Sequence, residues 1–275
     1  MSLLFSTLYG TEFVASTGMV VPLEKLFFQG VRRFYGLPNA VSNNAIRLLF
    51  PDLCIRSLIV RRKFSVLLRV LQPSDTYFPE AGIFDRETLL YTHSAGFSFL
   101  LWDWLLCVRS TNLFTATSKA TVRRALHAYR DAELEFLWVR FGEQSSTEFA
   151  AHVFGSHVGF YEFFLAASKK SGSCVRVLLL IFCGAISWSY ADRRCCPACP
   201  LQTFTARHFF LCPALGPNDA SDEALRLGHE GSWNELIILC LSRFRCFKLL
   251  LPDPSLSREE SELLFEYGLG DPVVF

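Results

Sequence analysis

Charge is scarce in this chain: Asp, Glu, Lys and Arg make up 19% of its 275 residues, against 51% hydrophobic residues and a mean hydropathy of +0.28. Even so, no apolar run is long enough to span a bilayer. The longest, 177–190, is too short, and 97–108 is interrupted by Asp103; both read as helices buried among others. Missing too is the basic n-region of a secretory signal, since residues 1–21 hold no Lys or Arg and contain Glu12. These absences point to an intracellular protein with no membrane partner. Neither G-x-x-x-x-G-K-[ST] nor G-x-S-x-G occurs, which excludes a phosphate loop and a nucleophile elbow. Sustained period-2 alternation is rare, with 4–14 the best strand candidate, and no repeat of fixed period is present.

What remains is helical periodicity. Pro22 suits the first turn of an amphipathic helix carrying Leu23, Leu26, Phe27, Val31 and Phe34, and Gly36 suits its end. Further helices are predicted over 43–50, 53–71, 121–139, 148–154, 159–167, 174–187, 233–250 and 257–265. The last has Ser257 at its N-cap and Glu260 three residues on, the pattern of a capping box. The predicted class is mostly α.

Ten cysteines could suggest disulfides, yet Cys54, Cys107, Cys174, Cys183, Cys240 and Cys246 are scattered over apolar stretches, as reduced core thiols would be. The other four cluster. Cys196-Pro197-Ala198-Cys199 is followed after eight residues by His208, and after three more by Cys212-Pro213. A C-x2-C pair brings two thiolates together at one turn, and an imidazole and a thiol four apart meet on one face of a short helix. Cys196, Cys199, His208 and Cys212 are therefore candidate ligands of one structural ion, with zinc the first candidate. Four protein ligands leave no position for an activated water, so no hydrolytic role is assigned. Cys195 is an alternative first ligand, although C-x2-C spacing favours Cys196. The competing reading is ordinary buried thiols with a core histidine. His152 and His157, five apart, read as surface or loop histidines.

The net charge of +1 conceals a division. Through Gln72 the chain carries nine Lys and Arg against three acids, whereas 253–271 is acidic. Arg56, Arg61, Arg62, Lys63 and Arg69 lie on one predicted helix, with Arg32, Arg33 and Arg47 before it. Such a stripe could neutralise several phosphates without reading bases, or be a solvated helix face.

The order of these pieces resembles the region after the polymerase palm in non-LTR retrotransposon reverse transcriptases. The likeness is carried by Leu8-Tyr9-Gly10-Thr11-Glu12, by Gln29 through Ser42 with its Gly36-Leu37-Pro38 turn, and by Ala45-Ile46-Arg47-Leu48-Leu49-Phe50. Farther on, Trp188-Ser189-Tyr190-Ala191-Asp192 leads into the cysteine-histidine segment, which looks like the family's C-terminal knuckle. It covers 8–71 and about 175–215; Arg207 stands where family knuckles often carry an acid, and their His-Cys gap is often a residue longer. The polymerase aspartates of that family precede the matched region, and Tyr190-Ala191-Asp192-Arg193 only mimics their turn. Helical patterning between the matched parts predicts a bundle over 83–190, and the resemblance implies a thumb-like basic segment over 1–72 and a small zinc-knuckle insertion with C-terminal helices over 191–275. It implies a non-catalytic nucleic-acid-binding protein, RNA ahead of DNA, with protein partners in a larger complex. The alternatives are a structural subunit of a ribonucleoprotein, or an element fragment without a selected role.

Overall fold

In a computed structural model, the described residues are 17–51, 55, 58, 59, 62, 119–191, 195–199, 202–217, 219–251 and 256–269. They form eleven α-helices and one 3-10 turn, with no strand among them, as the sequence predicts. In order these are α1 (Thr17–Tyr35), α2 (Asn43–Leu49), α3 (Lys119–Gly142), α4 (Glu148–Phe154), α5 (His157–Ser168), α6 (Gly172–Phe182) and α7 (Ile186–Ala191). After these come α8 (Ala206–Leu211), the 3-10 turn Pro213–Leu215, α9 (Ala220–Glu230), α10 (Trp233–Leu249) and α11 (Arg258–Glu266). No helix among the described residues is long and apolar enough to cross a membrane.

The chain divides into two compact units, Met1–Gln29 with Phe50–Glu135, and Gly30–Leu49 with Phe136–Phe275. In the first, Val20, Phe27, Phe28, Ile55 and Ile59 are buried. Of the predicted 53–71 helix, the described residues 55, 58, 59 and 62 are helical; the 97–108 helix and the 4–14 strand lie outside the described residues. α1 begins a turn earlier than predicted, placing Pro22 inside the helix rather than in its first turn. Its missing N–H removes one backbone bond there. The buried Val20 rewards the extra turn.

The core of the second unit is built on α6. From Cys174 to Phe182 every side chain except Arg176 is buried, and the helix packs on α5, α7, α8, α10 and α11. An all-apolar helix must be surrounded in this way. Phe154 is a hub of the aromatic packing, with the rings of Phe182, Phe163 and Phe160 at 4.8, 5.0 and 5.3 Å. Each such buried ring contributes roughly 1.5–3 kcal/mol.

Two glycines set how closely helices approach. The predicted 174–187 helix is broken at Gly184, whose φ of +62° ends α6 and lets α7 start in a new direction. A Cβ there would sit 3.3 Å from the Ala206 nitrogen, so the break also admits the start of α8. Gly228 of α9 lies against α4, where a Cβ would meet the Val153 carbonyl oxygen at 2.1 Å. α9 was not predicted, because Asp222, Glu223, Arg226 and Glu230 dilute its short face of Ala220, Ala224 and Leu227.

α11 is fixed by its cap and by buried charge. Ser257 and Glu260 form the expected capping box. The Glu260 carboxylate also accepts from the Tyr190 hydroxyl at 2.6 Å and pairs with Lys248 at 3.4 Å, both charged side chains being under a tenth exposed. Arg176 donates to the Tyr190 hydroxyl at 3.0 Å, and the Lys248 ammonium lies 4.7 Å from the Tyr190 ring centroid. Burial alone raises the Glu260 pKa, but the Tyr190 and Ser257 hydrogen bonds and Lys248 outweigh it and hold the carboxyl below its ordinary value.

Two outcomes are expected. Gly228→Ala should lower stability by about 3 kcal/mol in denaturant melts, because backbone and not a flexible tip opposes the new methyl. Since the folded-state pKa of Glu260 is depressed, its stabilisation is complete above the unfolded value of about 4.3 and fades as pH falls through the folded value. Glu260→Gln should remove that part of the acid sensitivity and cost about 3 kcal/mol at pH 7 by stranding Lys248. Acid unfolding midpoints of both chains read it.

Candidate metal centre

The knuckle begins after α7. Ser187 donates to the Cys195 carbonyl at 2.8 Å, and Cys195 makes an isolated antiparallel bridge with Thr203. The backbone then folds back, with Cys196 N donating to Gln202 O at 3.1 Å and Gln202 N to Cys199 O at 2.9 Å. This tight return brings the C-x2-C pair to one side. The backbone amides of Ala198 and Cys199 hydrogen-bond the Cys196 sulfur. The second half is set by α8: Thr205 caps it by accepting from His208 N at 3.1 Å, and Cys212 N donates to His208 O at 2.8 Å. One turn of helix thus puts His208 and Cys212 on the same face.

Cys196, Cys199, His208 and Cys212 converge, with their ligand atoms all within 4.8 Å of one another. The Cys212 Sγ lies 3.8 Å from Cys196 Sγ and 3.9 Å from Cys199 Sγ. Metal–sulfur bonds of about 2.3 Å at tetrahedral angles put two sulfurs about 3.8 Å apart. His208 Nε2 is buried and has no hydrogen-bond partner among the described residues. An imidazole with an orphaned buried nitrogen, grouped with three sulfurs of which two pairs stand at tetrahedral-edge spacing, fits a metal ion. The group can hold one ion and leaves no protein-free position on it. Of the two candidates for the first ligand, Cys196 is the one in the group and Cys195 is not.

Burial also shifts the protonation of these groups. Burial pushes the Cys196 thiol up to about 12 and raises that of Cys199, and it lowers the pKa of His208. The imidazole is thereby kept neutral, the form that ligates, and the thiols need a nearby cation to ionise.

A buried arginine from another helix lies against this segment. Arg243 of α10 is 2% exposed and donates to three carbonyls: Phe209 at 3.0 Å, Pro217 at 3.1 Å and Cys212 at 2.9 Å. It therefore braces the end of α8 and the turn that follows. Gly216 leaves room for it, since a Cβ there would lie 3.1 Å from its Nη1. A signal existed: Arg243 shares the helical spacing of Leu236, Cys240 and Phe247, all buried.

The other candidates fall elsewhere. Arg32, Arg33 and Arg47 belong to the second unit and Arg62 to the first, while Arg56, Arg61, Lys63 and Arg69 lie outside the described residues. Arg32 and Arg47 line one polar pocket of about 400 Å3 with Asn39, Ser42, Asn43 and Gln144. Arg32 donates to Val41 O at 2.8 Å and to the Asn43 side chain, and Ser42 donates to Gln144 at 2.9 Å. His152 turns a ring nitrogen to the Glu148 carbonyl at 2.9 Å, and neither it nor His157 joins a metal group among the described residues. Tyr190 is engaged with Glu260, and Asp192 lies outside the described residues. The eight described cysteines are free, with Cys174, Cys183 and Cys240 buried as core thiols.

The chain matches no family model, no curated protein and no solved structure.

The purified chain should hold one equivalent of a transition ion. Cys199→Ser should weaken its retention at least tenfold in chelator competition while helical content stays near wild type, because the apolar core of α4 to α6 lies outside the knuckle.

Proposed function

We propose that the chain is a non-catalytic nucleic-acid-binding protein, RNA ahead of DNA, related to the C-terminal region of non-LTR retrotransposon reverse transcriptases. Its Cys196, Cys199, His208 and Cys212 hold one structural zinc ion. Three thiolates and an imidazole are a borderline-soft tetrahedral set, which suits Zn2+ better than oxygen-seeking Mg2+ or Ca2+. A closed coordination sphere gives the ion a folding role, in keeping with a protein that carries no chemistry of its own.

One observation carries the nucleic-acid reading: the pocket formed by the turn between α1 and α2. Two arginines, three asparagines and a glutamine line it, and no carboxylate is among its lining residues. Guanidinium groups suit phosphate oxygens, and side-chain amides suit the mixed donors and acceptors of sugars and base edges. Its volume of about 400 Å3 is within the range of small-ligand sites. The preference for RNA comes from the family likeness and not from the pocket.

A second reading, a structural subunit of a larger ribonucleoprotein, draws support from large exposed apolar side chains: Phe34, Phe136, Val139, Leu249 and Phe265 are each more than half exposed.

Fluorescence anisotropy with single-stranded RNA tests the first reading. Affinity should fall linearly with salt on logarithmic axes, and Arg47→Gln should reduce the slope by about 1 and weaken binding severalfold. Absence of binding at low salt, or a slope unchanged in Arg47→Gln, would reject it. A chain stable only when copurified with a protein partner would favour the second.

A further inference from the structure

We propose that Arg243 is the built-in counter-charge of the Cys3His centre, so that a divalent ion and this arginine together form an electrically neutral buried unit. The inference rests on the metal reading of that centre.

The charge arithmetic is simple. Three metal-bound thiolates, a neutral imidazole and a divalent ion sum to −1. Cys196 and Cys212 are fully buried while Cys199 and His208 are half-buried, so water screens this charge only in part. Arg243 supplies +1 against the same backbone, its Nη2 being 2.9 Å from the carbonyl of Cys212 itself.

Arg243 needs such a partner. Its donors are met by three carbonyls, which satisfy hydrogen bonding but leave the net charge uncancelled. No carboxylate lies within ion-pair distance of it among the described residues. The contrast with Lys248 on the same helix is direct, because that buried cation faces Glu260 at 3.4 Å. Around Arg243 the groups capable of negative charge are Cys212 first, then Cys246, Cys240 and Asp219. Cys240 is a fully buried core thiol, Cys246 is outside the metal group and the Asp219 carboxylate lies beyond ion-pair distance, so the centre, through Cys212, is the foremost counter-anion and Asp219 a weaker second. Gly216, whose missing Cβ admits the guanidinium, is part of the same arrangement.

The pairing also sets which ions suit the site. A divalent ion gives a neutral unit with Arg243, whereas a monovalent ion would leave a net −1 buried in an apolar core.

The test compares zinc retention by the full chain in wild type, Arg243→Gln and Arg243→Lys, by competition with a chromophoric chelator at fixed pH, with circular dichroism read in parallel. Gln removes the charge, and Lys keeps it while losing the three-way fork. Arg243→Gln should weaken zinc retention about tenfold or more, and Arg243→Lys should keep most of it. In a Cys199→His background, where the centre is neutral, the penalty of Arg243→Gln should shrink. Arg243→Gln failing to fold with zinc present, while Arg243→Lys folds and holds it, also supports the pairing. Both variants losing zinc alike, or both holding it as wild type does, would overturn it and leave Arg243 a brace for carbonyls. A wild-type chain that takes up no zinc is a different result, because it removes the metal reading itself.

Discussion

Three sulfurs and one imidazole nitrogen within 4.8 Å of one another, at the edge of an aromatic core, constrain everything near them. Burial pushes the Cys196 thiol up to about 12, and the His208 Nε2 is buried without a hydrogen bond among the described residues. Each buried polar group left unsatisfied costs about 1–3 kcal/mol. A coordinated ion would turn that debit into folding free energy, because the unfolded chain offers no preformed site. The local backbone is arranged accordingly: a tight return at Gln202 for one pair of ligands and a capped turn of α8 for the other.

α10 connects this centre to the rest of the second unit. It carries two buried cations five residues apart, Arg243 toward the knuckle and Lys248 toward α11. Buried charges of this kind add little over good apolar packing in net stability. What they contribute is register. Lys248 meets Glu260 only when α11 docks with Ser257 as its cap, and Arg243 reaches three carbonyls only when α8 ends where Cys212 ends it. Tyr190 joins the two sides, since its hydroxyl serves Glu260 while its ring packs 5.6 Å from Phe244 of α10.

Much of this was legible in sequence wherever the determinant is local. C-x2-C and H-x3-C spacings depend on one turn each, and the structure places all four residues together. The Ser257 capping box is a four-residue pattern and is present as read. Boundaries of α4 and α10 follow from periodicity alone. What escaped depends on distant neighbours. Pro22 is tolerated inside α1 because burial of Val20 outweighs one missing bond. Gly184 breaks an apolar run that reads as continuous, and α9 looks too polar because its buried face is narrow and includes a glycine shaped to Val153. Arg243 resembles one more surface arginine until the three carbonyls are seen around it.

The pocket between α1 and α2 and the Cys3His group belong to one compact unit yet share no side chain. The pocket turn is tied down by Arg32 to Val41, by Ser42 to Gln144, and by the packing of α2 on α5, none of which touches the knuckle. Between them runs a series of contacts through Arg176, which donates to the Gly36 carbonyl at 3.3 Å and to Tyr190, and then through Glu260 and Lys248 to α10. This series ties the pocket turn to α10 by hydrogen bonds and ion pairs. A metal held by the Cys3His group would therefore act on its own segment, while the pocket keeps its shape from bonds of its own.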